Sequence, residues 1–221
     1  MPELLKQMGS TAGTTAHEVA QRLQPLFPAL DELDQRLSLA IYRNLARGAP
    51  VHLKDLFSEI GMDAAEGARR MQPWPGVYYD GEQRVIGYWG LSLASMRHRL
   101  RISGRELFAW CAWDTLFLPA VLGTRIDVAS ACHATGEPVR LTVDPTGVES
   151  ADPQGLAVSF VVPHSEAVRA DVITSFCHYV HFFTSESAAS PWREKHPAAF
   201  LLPLPEAFEV GRLLNRRRYG D

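Results

Sequence analysis

The chain has 221 residues, 46% of them hydrophobic and 21% charged, with a formal net charge of −3. That is enough apolar material for one sizeable core with a small accessory domain, and the slight acidity offers no general attraction to a polyanion, so no nucleic-acid partner is expected. No segment has the roughly 20 apolar residues of a membrane span or the core of a signal peptide, and three cysteines argue against a disulfide framework; a cytoplasmic protein with reduced thiols and no membrane partner is expected.

Residues 1–28 read as a flexible arm in which a helix begins near Thr14. From Asp31 the spacing of Leu33, Leu37, Leu39, Ile41 and Leu45 predicts an amphipathic helix stopped by Gly48 and Pro50. Short helices are expected over 52–60 and 63–71, then a hairpin from Val77-Tyr78-Tyr79 through Asp80-Gly81 into a strand over 85–93. Three helices and a hairpin make residues 29–98 look like a winged helix. The helix that would read DNA nevertheless carries Asp63 and Glu66 beside Arg69 and Arg70, without a positive face.

Residues 99–221 read as a second, α/β domain, so the fold class is α+β with a mixed or antiparallel sheet. Ser103-x-x-Glu106 has the capping-box pattern and predicts a helix over 107–118 that ends near Pro119. Strands are expected over 125–131, 139–143, 157–162 and 176–183, with a turn at Thr135-Gly136. Helices are expected over 165–172, 192–196 and 205–217.

The run Leu107 to Leu118 is apolar almost all the way round, which marks a buried element, and Asp114 is its anomaly. An unpaired buried carboxylate costs several kcal/mol or shifts its pKa upward until it holds a proton; a protonated carboxyl in a dry site is a proton donor. On a helix, Cys111 would share a face with Asp114, beyond reach of the dipole at the helix start. A buried cysteine is more often a small hydrophobe, and a buried aspartate is as readily a structural group; the two together point to chemistry. On a strand, Cys177 would face away from His178, so the two would not share a metal. His181 reads as a core histidine, Cys132-His133 lacks zinc-site spacing, and Arg216-Arg217-Arg218 reads as a solvated helix end.

Phe108-Ala-Trp-Cys-Ala-Trp-Asp-Thr-Leu-Phe-Leu-Pro-Ala-Val-Leu-Gly123, then Cys132-x-Ala-Thr-Gly-x-Pro-Val139, then Ser175-Phe-Cys-x-x-Val-His-Phe-Phe183 closely resemble the bacterial organomercurial (alkylmercury) lyases, enzymes of mercury resistance. The resemblance runs from about residue 30 to about residue 217 and implies a helical N-terminal domain ahead of a catalytic α/β domain. It implies that Cys111, Cys177 and Asp114 are the catalytic trio and the groups around the substrate or product mercury, and that Cys132 is structural. Trp113 and His178 depart from the family pattern, which leaves the substrate range open. The implied reaction is protonolysis of R–Hg(II), an organomercurial small molecule, to R–H and Hg(II). No resident cofactor is required; external thiols remove the product, or it passes to a mercuric reductase. The competing reading is a non-enzymatic thiol protein that sequesters a soft metal such as Hg or Cu.

Overall fold

The structure, a computed structural model, describes residues 15–220. Thr15 and Glu18 form a reciprocal capping box at the start of α1 (Ala16–Leu23), which buries Val19, Ala20 and Leu23 and runs into a 3₁₀ turn over Gln24–Leu26. This part of the expected arm is therefore a docked helix; residues 1–14 of that arm lie outside the described residues. Next come α2 (Glu32–Leu45), α3 (Leu53–Glu59) and α4 (Ala64–Met71). Asp31 and Asp63 accept backbone amides at the starts of α2 and α4, supplying partners that a first turn lacks. Arg70 on α4 is tied to Asp31, Asp34 and Glu66.

The predicted hairpin forms from β1 (Val77–Tyr79) and β2 (Val85–Tyr88), but the strand expected over 85–93 is broken. Trp89 at φ +31° and Gly90 at φ +98° turn the chain before β3 (Leu91–Ser92).

The helix expected over 107–118 is not there. Residues 98–109 form a hairpin of β4 (His98–Ile102) and β5 (Arg105–Ala109). Ser103 (φ +48°) and Gly104 (φ +80°) are its two-residue turn; both are left-handed, the geometry that matches the twist of flanking strands. Leu100, Ile102, Leu107 and Ala109 are buried on one face, so the capping-box pattern at Ser103 was outweighed by alternation on both sides of it. The helix begins later, as α5 (Asp114–Leu122), passes through Pro119 and ends at left-handed Gly123.

A meander follows: β6 (Ile126–Ala131), β7 (Pro138–Asp144) and β8 (Gly147–Asp152), the last unanticipated. One eight-stranded sheet results, in the order β1-β2-β3-β5-β4-β6-β7-β8, with every pairing antiparallel. It runs without interruption across residues 98 and 99, where two domains were expected to meet.

The remaining elements are β9 (Ala157–Phe160), α6 (Ser165–Ala170), α7 (Val172–Ser175), β10 (Phe182–Phe183), α8 (Glu186–Lys195), β11 (Phe200–Pro203) and α9 (Leu204–Tyr219). The second sheet, β10-β9-β11, is also antiparallel. The strand expected over 176–183 shrinks to its last two residues. Asp171 accepts from the amides of Ile173 and Thr174 and starts α7, and a 3₁₀ turn over Cys177–Tyr179 continues it. The fold is thus helices with antiparallel sheet, around a continuous core from Ala16 to Leu214. Gly211 lets α9 lie directly on α5, since a Cβ there would be 2.7 Å from Phe117 Cβ. Among the described residues no helix is long and apolar enough to cross a membrane.

Candidate active site

Two segments converge beyond the C-terminal end of β5. Past Ala109 the chain turns through Trp110 to Trp113 into α5, so Cys111 lies before the helix and Asp114 is its first residue. Their closeness therefore comes from a turn at a helix start, not from one helix face as the spacing suggested. The Asp114 carboxylate reaches back and accepts the Cys111 amide at 2.7 Å, satisfying an otherwise orphaned donor. Cys177 arrives on the 3₁₀ turn after α7, and the Ala112 amide donates to the Val180 carbonyl at 3.2 Å, fastening the two segments together.

The ligand atoms of Cys111, Asp114 and Cys177 all lie within 4.8 Å of one another, and all three residues are buried. The reading of residues alone singled out Cys111 and Asp114; Cys177 came from the family resemblance, and the fold brings it to them. Among the described residues this is the one grouping of His, Cys, Asp or Glu compact enough to surround an ion.

Burial raises Asp114 from the ordinary carboxylate value to about 7, although hydrogen bonds from the Cys111 thiol and from the Cys111 and Trp110 amides oppose the rise. Burial also pushes the Cys111 thiol well up, and its hydrogen bond to Cys177 adds to the effect. Cys177 is raised by burial too, while the bond from Cys111 holds it back. Near neutral pH the resting site therefore holds two thiols beside a carboxyl that exchanges its proton readily. Two soft sulfur donors can hold a soft metal, and the carboxyl beside them can exchange a proton.

Other residues singled out from the sequence lie outside the trio. Cys132 is buried; burial would raise it, but hydrogen bonds from Thr135 and Thr184 prevail and bring it down to about 7. The Thr184 amide donates to its sulfur at 3.4 Å and the His133 amide to Phe182 O at 2.8 Å, so the Cys132 loop clips β10 in place. His181 stacks on His133 with ring centroids 3.7 Å apart, and burial lowers it to about 3. His178 is exposed. Trp113 is a core residue: it donates from Nε1 to Ala207 O at 3.1 Å and packs on Phe117, Phe160 and Phe176. Arg218 is not the solvated helix end expected; it is 7% exposed and lies over Phe27, Trp89 and Tyr219.

Sequence reasoning missed Gly90. Its carbonyl accepts the Trp110 amide at 3.1 Å, and a Cβ on it would stand 2.7 Å from Asp114 Cγ and Oδ1. A glycine inside a strand pattern is the signal that marks such a close approach.

The family model described as alkylmercury lyase matches residues 91–215. An alkylmercury lyase of Staphylococcus epidermidis is 44% identical over 177 residues, which is 80% of this chain and 80% of that protein. One from Streptomyces lividans is 36% identical over 201 residues, covering 90% and 92%. Among solved structures, a crystal structure of the mercury-bound form of MerB2 aligns with a TM-score of 0.76 at 25% identity, over 91% of this chain and 98% of that one.

Proposed function

The chain belongs to the alkylmercury lyase family, and from that premise we propose how its three buried groups break a carbon–mercury bond. The observation that carries the reading is the grouping of two thiols and one carboxyl within 4.8 Å in a buried site. Cys111 takes R–Hg from a carrier thiolate, whose bond to mercury breaks as it leaves with the Cys111 proton, and a linear S–Hg–R unit remains in which the carbon is still bound. Asp114, ionised in part near neutral pH, accepts the proton of Cys177. The Cys177 thiolate then binds mercury, and the added electron density gives the carbon carbanion character. Asp114 returns the proton to that carbon. The products are R–H, a carboxylate at Asp114 and Hg(II) held by two thiolates; the proton lost by Cys177 ends on the hydrocarbon.

Asp114 thus acts first as general base and then as general acid, a double role suited to a pKa near the working pH. The dry surroundings keep water from competing for the carbanionic centre. Mercury is substrate and product, and no organic cofactor enters the scheme. Hg(II) leaves on cellular thiols or passes to a mercuric reductase, in keeping with a cytoplasmic enzyme.

The test is gas chromatography of the headspace after mixing the protein with phenylmercury and excess thiol in D₂O. Monodeuterated benzene in catalytic amounts is expected. Mercury uptake without benzene would instead describe a sequestering protein.

A further inference from the structure

The proton carrier is confined on a side that the scheme above does not use. The amide of Cys111 holds Oδ2 of Asp114, while Oδ1 and Cγ lie against Gly90, so closely that a Cβ there would be 2.7 Å from both. Gly90 belongs to a turn whose other residue, Trp89, has φ +31°, a left-handed backbone that a bulky residue adopts only when its surroundings impose it. The fixing contact is visible. Tyr42 of α2, completely buried, donates its hydroxyl proton to the Trp89 carbonyl at 2.8 Å.

Two further contacts close the clamp. The Trp89 amide donates to Gly76 O at 3.0 Å, and the guanidinium of buried Arg218 lies 5.6 Å from the centre of the Trp89 ring. Helix α2, the residue that precedes the hairpin and the C-terminal helix therefore converge on one residue, Trp89. Its neighbour Gly90 is the wall against which the Asp114 carboxyl rests.

We propose that Tyr42 is a positioning residue for protonolysis: by pinning the Trp89 carbonyl it holds Gly90 against Asp114, so that the carboxyl is kept in the one orientation from which it reaches the mercury-bound carbon. The Tyr42 hydroxyl is committed to the Trp89 carbonyl and to neither thiol, so its work falls on the proton-transfer step and not on mercury capture. This inference rests on the reading of Asp114 as proton carrier. A displacement of about 1 Å in a reacting group lowers a rate by about 100-fold, and loss of one pinning hydrogen bond is expected to cost between about 10-fold and that figure.

The experiment compares Tyr42→Phe with Ser38→Ala under stoichiometric phenylmercury. Ser38 belongs to the same buried network, accepting from Tyr88 at 2.9 Å and bonding the Tyr219 hydroxyl at 2.8 Å, but it does not bond the Trp89 carbonyl. Three quantities are read: thermal midpoint, loss of titratable thiol as mercury is captured, and the first-turnover rate of benzene release. Tyr42→Phe is expected to capture mercury as the parent does and to release benzene at least about 10-fold more slowly. Ser38→Ala is expected to release it at the parent rate, whatever its midpoint. Equal benzene rates in Tyr42→Phe and the parent would overturn the proposal, as would equal slowing in both variants or loss of capture together with rate. If Tyr42→Phe does not fold, Gly90→Ala replaces it, with the same capture and at least the same slowing expected. A parent protein that releases no benzene would sink the protonolysis reading itself, a result distinct from all of these.

Discussion

Burying Asp114 makes the folded state pH-sensitive, and replacing it by asparagine should remove that sensitivity. The carboxyl rises from an ordinary 3.8 to about 7 because burial disfavours its charge. Between those two values the folded chain keeps a proton that the unfolded chain has given up, so stability must fall as pH rises through that window. At about 1.4 kcal/mol per pKa unit, the ionised carboxylate costs the native state about 4 kcal/mol above pH 7 relative to pH 4. In Asp114→Asn the new amide side chain keeps an oxygen that can accept the Cys111 amide and carries no charge to desolvate. Equilibrium urea unfolding of both proteins, under reducing conditions from pH 4.5 to 8.5, reads the difference. The variant should gain on the parent as pH rises to about 7, then level off, exceeding it by several kcal/mol at pH 8. The two thiols are raised above their ordinary values as well, so they stay protonated in the fold, and the small loss from their ionisation in the unfolded chain near pH 8.5 is common to both proteins. A difference that does not change with pH would refute the claim that Asp114 is held neutral by burial.

Cys177→Ser should still capture one equivalent of phenylmercury through Cys111 but release almost no benzene, since a serine oxygen is a poor ligand for a soft metal; mercury stoichiometry with headspace chromatography checks it. Trp113→Phe removes the hydrogen bond to Ala207 O and leaves a smaller ring in a packed core, and should lower stability by about 1–3 kcal/mol. Because Trp113 packs in the core, the ratio of methylmercury to phenylmercury turnover should not move. A changed ratio would return this residue to the substrate pocket.

How much of this was legible depended on whether the information was local. The helices after Asp31 and Asp63 begin at capping side chains, and the strands at 126–131 and 138–144 alternate clearly, so their positions followed from the residues. The run from Leu107 to Leu118 did not resolve, because a uniformly apolar segment reads alike as buried strand and buried helix. It is a strand up to Ala109, a turn, and a helix from Asp114. The aromatic stretch after Phe176 looked like a strand, yet a side chain five residues earlier, Asp171, starts a helical turn that carries Cys177. The anomaly at Asp114 was visible without any fold, since charge inside an apolar run needs a reason. The meeting of Cys177 with Cys111, and the hydrogen bond of Tyr42 to the Trp89 carbonyl beside Gly90, are long-range contacts that no local pattern encodes. The motif resemblance supplied the first of these, and nothing in the sequence supplied the second.

In the proposed reaction two thiols hold mercury while Asp114 delivers the proton. One turnover of phenylmercury on Asp114→Asn, followed in parallel by thiol titration and benzene release, tests it most directly. Cys111 should be consumed as in the parent while benzene falls to a small residue; benzene released at the parent rate would remove Asp114 from the reaction.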